Sequence, residues 1–256
     1  MEHTVKKTKG KASKTSITFL LDRTGSMSGI KDDTIKAFNS YLDSVGETKG
    51  DIEFSLIQFD SVSLDKCCVR VPIAEATRLN NGNYQPRSTT PLIDAAYKTI
   101  KAVEESLNGQ KPKVIICIQT DGYENASTEY NWDQLNTLIK EKTLLGWQFN
   151  FIGAGIDAYN TGARMGIAPM ATMSYDLAQS ANAMRGLAQS HSGYASGQSV
   201  NSHISMATRS ASGDVHAASY GVGGSPIPTP PVTVKPATPP AKAKKPARSL
   251  VDSFKL

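Results

Sequence analysis

Residues 19–30 read FLLDRTGSMSGI, and this stretch decides the fold. The near-continuous apolar run from Ile17 to Leu21 is too short for a helix and shows no polar alternation, the pattern of a strand covered on both faces. The run stops at Asp22. A turn rich in glycine and hydroxyl groups follows, and from Ile30 a helical period sets in, with Ile35, Phe38, Leu42 and Val45 on one side and Gly46 as its stop. Strand, loop and helix in that order form the repeating unit of a parallel sheet.

The rest of the chain repeats this alternation. Residues 52–59 (IEFSLIQF) and 64–71 (LDKCCVRV) flank the short link DSVS and read as a hairpin at one sheet edge. After the polar loop NNGNYQPRSTTP, Pro91 can open a helix with Leu92, Ala96, Ile100, Val103 and Leu107 on its apolar face. KVIICIQ (113–119) is a second buried strand, and the loop TDGYENASTEY leads to a helix over 133–145. WQFNFIG (147–153) is a strand, GIDAYNTGARMG (155–166) a glycine-interrupted helix, MATMSY (170–175) a last short strand and 176–190 a closing helix. These elements predict an α/β chain: a doubly wound, Rossmann-like, mostly parallel sheet with one antiparallel edge strand and helices on both faces.

Charge separates this body from its ends. The formal net charge of +5 comes from lysine-rich ends, residues 1–16 and 235–256, which leaves the middle at about −4. A basic face gripping nucleic acid is therefore not expected of the body, and nucleic acid would bind only weakly, through the tails. The sequence divides into a basic arm (1–15), the α/β domain (16–192), a Ser/Gly/Ala-rich low-complexity segment (193–225) and a Pro/Ala/Lys-rich tail (226–256) with the short apolar end SLVDSFKL. Three cysteines give no even disulfide framework, and no run approaches a membrane span, so the expected location is the cytoplasm, with no membrane partner. Cys67 and Cys68, adjacent on a strand, are expected on opposite faces, and His191, His203 and His216 in solvent.

The turn after Leu21 carries Asp22, Thr24 and Ser26 at alternate positions, where an extended chain points them to one side. Two further loops are expected at the same carboxyl edge, one bearing Ser88, Thr89 and Thr90 and the other Asp121. The pooled donors are carboxylates and hydroxyls without histidine or thiol, a set suited to Mg²⁺ and next to Mn²⁺. Asp60 reads as a solvated loop residue and Asp94 as a supporting group rather than as ligands.

DRTGSMS resembles the D-x-[ST]-x-S signature of the von Willebrand factor type A domain, with its metal-ion-dependent adhesion site. STTPLIDA resembles the threonine loop of that family, and TDGYENAS its T-D-G loop, in the same order. The resemblance covers about residues 15–190 and is nearest to stand-alone intracellular domains of bacteria and phages. It implies a metal set of Asp22, Thr24, Ser26, Thr90 and Asp121, with the count between Thr89 and Thr90 left open. It also implies a protein ligand that completes the coordination with a Glu or Asp carboxylate, and in some members an AAA+ ATPase partner. Ser28, Tyr84, Arg87, Tyr123 and Glu124 are expected to rim that site. The expected function is metal-dependent protein binding rather than catalysis. The alternatives are a scaffold with a degenerate site acting through its basic tails, and a Mg-dependent hydrolase. The second is disfavoured because a phosphatase of the haloacid-dehalogenase type needs an acid where Thr24 stands.

Overall fold

The computed structural model describes residues 14–220. Most of the basic arm, and all of the tail with SLVDSFKL, lie outside the described residues. Six strands, β1 (Thr15–Asp22), β2 (Ile52–Phe59), β3 (Leu64–Pro72), β4 (Lys113–Thr120), β5 (Gln148–Ala154) and β6 (Thr172–Tyr175), form one sheet in the order β3-β2-β1-β4-β5-β6. All neighbours are parallel except β2 and β3, which pair antiparallel. The helices are α1 (Lys31–Gly46), α2 (Leu92–Leu107), α3 (Trp132–Leu144), α4 (Ala158–Met165), α5 (Ser180–Ala195) and α6 (Met206–Ala211). Among the described residues no helix is long and apolar enough to cross a membrane.

The apolar run of β1 serves two cores. Ile17, Phe19 and Leu21 face one layer with Phe38 and Tyr41 of α1 and Leu187 of α5. Leu20 faces the other, with Ile93 and Ile100 of α2 and Ile139 of α3. A strand in the middle of a doubly wound sheet has no solvent face, so hydrophobic residues occupy both sides. The chain winds outward from β1 in one direction and from β4 in the other. The carboxyl ends of these two neighbours are therefore the topological switch point, where loops diverge and leave a crevice.

Local signals set the boundaries. α3 opens with a capping box in which the Asn131 side chain accepts the Gln134 amide and Gln134 accepts the Asn131 amide. α4 is continuous through Gly162. That glycine is required by close approach, since a Cβ there would stand 2.7 Å from Thr172 Oγ1 of β6.

Four expectations need correction. Residues 193–220 of the low-complexity segment are part of the folded body: α5 runs to Ala195, and Ser202, Ile204, Arg209 and Ser212 are buried. They cover the outer edge of β6, with Ile204 N–H donating to Met170 O (2.9 Å), Asp176 N–H to Ser212 O (2.9 Å) and the Arg209 guanidinium to Thr172 O. Small residues permit this, because a Cβ on Gly186 of α5 would fall 2.0 Å from Thr208 Cγ2 of α6. His191 is fully buried rather than solvated. Its Nδ1 meets Tyr41 Oη at 2.7 Å and its Nε2 meets Asn150 Oδ1 at 3.1 Å. Cys67 and Cys68 both pack against the first core layer, because an irregularity between the Leu56–Cys68 and Ile57–Lys66 pairs breaks strict alternation. Asp60 is buried, for reasons given below. At the other edge of the sheet, β3 is guarded by its irregular pairing, by exposed Lys66 and by Pro72.

Candidate metal centre

Asp22 ends β1 and is fully buried. Its Oδ1 accepts the Thr24 amide at 2.6 Å, which curls the loop back on the strand end, and its Oδ2 accepts Thr120 Oγ1 from neighbouring β4 at 2.5 Å. The curl brings Thr24 Oγ1 to 3.2 Å from Ser26 Oγ, and Ser26 donates to Asp121 Oδ1 at 2.6 Å. Two loops that are distant in sequence are thereby joined by one continuous run of oxygens.

The threonine loop supplies the third side. Gly25 N–H donates to Ser88 O at 3.0 Å, and a Cβ on Gly25 would sit 3.2 Å from that oxygen, so the two loops need a glycine to meet this closely. Thr90 is buried and Thr89 exposed. Thr89 is engaged with Ser61 through its backbone, whereas Thr90 Oγ1 faces Gly122. A Cβ on Gly122 would lie 3.4 Å from Thr90 Oγ1 and 3.5 Å from Ser26 Oγ. The hydroxyls of Thr90 and Ser26 thus both approach Gly122, and Thr90 is the threonine brought to the cluster.

The rim differs from expectation at two positions. Tyr84 is fully buried and lies beneath the site, its hydroxyl donating to Asp22 O at 2.7 Å. Glu124 turns inward: its carboxylate accepts the amides of Ile93 (2.8 Å), Ala126 (2.9 Å) and Ser127 (2.7 Å), bolting the loop to the first turn of α2. Ser28, Arg87 and Tyr123 are exposed. Asp94 supports the site at one remove, accepting the amides of Thr128 (2.9 Å) and Tyr130 (2.8 Å).

Sequence reading passed over Arg23, Thr120, Gly122 and Asn125, although all four lie inside the quoted motifs or next to them. Arg23 is buried, with its guanidinium 2.8 Å from Asp60 Oδ2 and 2.8 Å from Asp65 Oδ2. Arg87 reaches the same Asp60 oxygen at 2.9 Å. This pairing is why Asp60 can be buried. Burial pushes its carboxyl up, but hydrogen bonds from Arg87, the Ser63 and Val62 amides and Arg23 outweigh that and hold it below the usual carboxylate value.

Asp22 has no such relief. Among the described residues no lysine or arginine forms an ion pair with Asp22 or Asp121. Burial pushes Asp22 up to about 6 against the opposing hydrogen bonds from Thr120 and Thr24, and Asp121 adds like-charge repulsion. Burial also raises Asp121, with the Ser26 hydrogen bond acting against it. No three His, Cys, Asp or Glu side chains gather into a ligand cluster among the described residues, so a cation here would depend on hydroxyls. Two acids lacking a protein cation and three hydroxyls, with no side chain of residue 122 between them, are donors of the kind a small hard divalent ion takes.

A doubly wound α/β sheet with an all-oxygen cluster at its switch point defines the class of protein. No protein-family model matches the sequence, and no curated protein does. Solved structures do share the architecture, and they identify it as the von Willebrand factor type A fold. A von Willebrand factor type A protein from Catenulispora acidiphila superposes with a TM-score of 0.52 at 15% identity, over 71% of this chain and 43% of that one. Proximal thread matrix protein 1 from the mussel byssus gives 0.52 at 13% identity, over 70% of this chain and 46% of that one. Manganese-loaded TRAP protein from Plasmodium vivax gives 0.50 at 16% identity, over 67% and 72%. The chain spans under half the length of the first two proteins.

Proposed function

We propose that this chain is a protein-binding module that captures an acidic side chain of its partner through Mg²⁺ or Mn²⁺ held at the oxygen cluster. The observation that carries this reading is the contrast among buried acids. Asp60 is neutralised by two arginines, whereas Asp22 stays buried beside Asp121 with hydroxyls around it and no cation. Thr24, Ser26 and Thr90 would hold the ion through neutral oxygens, with Asp22 and Asp121 compensating its charge. Bound there, the ion supplies an electrophilic position for an incoming carboxylate. Ser26 is exposed and gives its proton to Asp121; it then accepts from Thr24, which leaves one further lone pair for an ion. Arg87, Ser28 and Tyr123, exposed around the cluster, would contact the residues flanking the captured acid.

The test is a calorimetric titration of the full chain and of Asp22→Ala with Mg²⁺ and with Mn²⁺, repeated in the presence of acetate as a carboxylate mimic. Saturable binding by the native chain, strengthened by acetate and lost in the variant, supports the reading. Equal binding by both chains, or none by the native chain with acetate present, overturns it.

A further inference from the structure

Thr90 stands out because its position is determined by one residue of another loop. Asn125 Oδ1 accepts the Thr90 amide at 2.8 Å, and the Asn125 amide donates to Thr90 O at 3.1 Å. Both backbone polar groups of Thr90 are thus taken by Asn125, four residues beyond Asp121. Pro91 follows and restricts Thr90 to extended backbone. Thr90 is β-branched, so a fixed backbone leaves its side chain few orientations. Fixing the Thr90 backbone therefore fixes where Oγ1 points, which is toward Gly122 and Ser26.

We propose that Asn125 is a positioning residue for the cation site: it sets the distance between the hydroxyl of Thr90 and the carboxylate of Asp121, and through that distance the affinity for the ion. This rests on the reading of the cluster as a cation site. Holding this loop to α2 does not depend on the Asn125 side chain. Glu124 holds the same loop to α2 through Ile93, and the Asn125 amide would still donate to Thr90 O after the side chain was shortened. Asn125 is itself exposed, so its truncation opens no cavity. What the truncation removes is the acceptor for the Thr90 amide. Thr90 then gains freedom to rotate away from Gly122 and Ser26.

Groups that orient metal ligands typically change affinity by about 10–100-fold when removed. Four full-length chains decide the matter: the native protein, Thr90→Ala, Asn125→Ala and Asn125→Asp, the last of which keeps an acceptor oxygen. Mn²⁺ dissociation constants are read from the loss of the free-ion electron paramagnetic resonance signal, and exchange of the Thr90 amide is followed without metal. Asn125→Ala should weaken Mn²⁺ binding about 10-fold and speed Thr90 exchange, with Asn125→Asp restoring both to near the native values. If Thr90→Ala loses affinity while Asn125→Ala binds Mn²⁺ as the native chain does, the positioning role is overturned and the cation reading stands. Should the native chain and Thr90→Ala bind equally, or neither bind, the cation reading of Thr90 fails and the positioning role falls with it.

Discussion

Two polar clusters of this fold solve the burial of an acid in opposite ways, the one around Arg209 and the one around Asp22. Around Arg209, on the strap over β6, the protein supplies its own cation. The guanidinium is fully buried, lies 3.5 Å from Asp214 Oδ2, and donates to the Ile204, Pro169, Met170 and Thr172 carbonyls, while Tyr159 Oη donates to Asp214 at 2.7 Å. At the carboxyl edge of β1 and β4, Asp22 is equally buried with only hydrogen bonds for support. The first cluster is closed, with donors and charges matched inside the molecule. The second has two acids and no protein cation paired with them among the described residues. A matched cluster fastens one segment to another; on the reading proposed above, the unmatched one would take its cation from solution.

The comparison is most directly broken at Arg209. Arg209→Met leaves Asp214 buried without its cation and strips donors from the edge of β6. The expected loss is about 3–5 kcal/mol in urea unfolding, with Mn²⁺ affinity unchanged at denaturant concentrations well below the midpoint. A comparable loss of Mn²⁺ binding would mean that the two clusters are one cooperative unit. Gly186→Ala attacks the same strap sterically. With the added Cβ 2.0 Å from Thr208 Cγ2, α6 must move, and a destabilisation of about 1–3 kcal/mol is expected by the same measurement.

Titration adds a further contrast, because two buried groups, His191 and Asp22, are displaced with opposite consequences for stability. Burial lowers His191 to about 3, so the unfolded chain binds this proton more readily. Stability from His191 is present above about 6.5 and is lost as pH falls toward 3; between pH 7 and 5 the loss is about 2 kcal/mol. Asp22, raised to about 6, behaves in reverse: its contribution is greatest below about 3.8 and is lost as pH rises through 6, about 1 kcal/mol between pH 5 and 7 in metal-free protein. Unfolding free energies at the two pH values should therefore show His191→Gln losing the acid sensitivity. Mg²⁺ should stabilise the native chain more at pH 7.5 than at pH 5. If Mg²⁺ stabilises equally at both, Asp22 is not coupled to the ion.

The smallest effect on stability is expected at Gly122. A Cβ would make ordinary contacts of 3.4 and 3.5 Å with Thr90 and Ser26, so Gly122→Ala should unfold within about 0.5 kcal/mol of the native chain. The same methyl group occupies the space shared by the hydroxyls, and Mn²⁺ binding should weaken severalfold. Unaltered binding would place the ion elsewhere.

Much of the architecture was legible in the sequence because its signals are local. An apolar run ending at Asp22, alternating strands and helices, and Pro91 at a helix start are properties of consecutive residues, and they imply the doubly wound sheet. The three short motifs also place their loops at one edge, since strand ends in a parallel sheet converge there, but the choice between Thr89 and Thr90 and the bond from Thr120 to Asp22 came only with the structure. What the sequence could not disclose is which polar residues close on themselves. Asp60 and Glu124 look like free loop acids until Arg23, Arg87 and the start of α2 are brought against them. Tyr84 and His191 likewise read as surface residues, and the segment from 193 onward read as filler because serine, glycine and alanine carry little hydrophobic signal. Burial at those positions comes from close approach of α6 to Gly186 and from partners more than thirty residues away, such as Asn150 on His191 and Asp214 on Tyr159. Chain composition determined that there would be a sheet with an oxygen-rich edge. Only tertiary packing decided which acids found a cation within the protein, and left Asp22 without one.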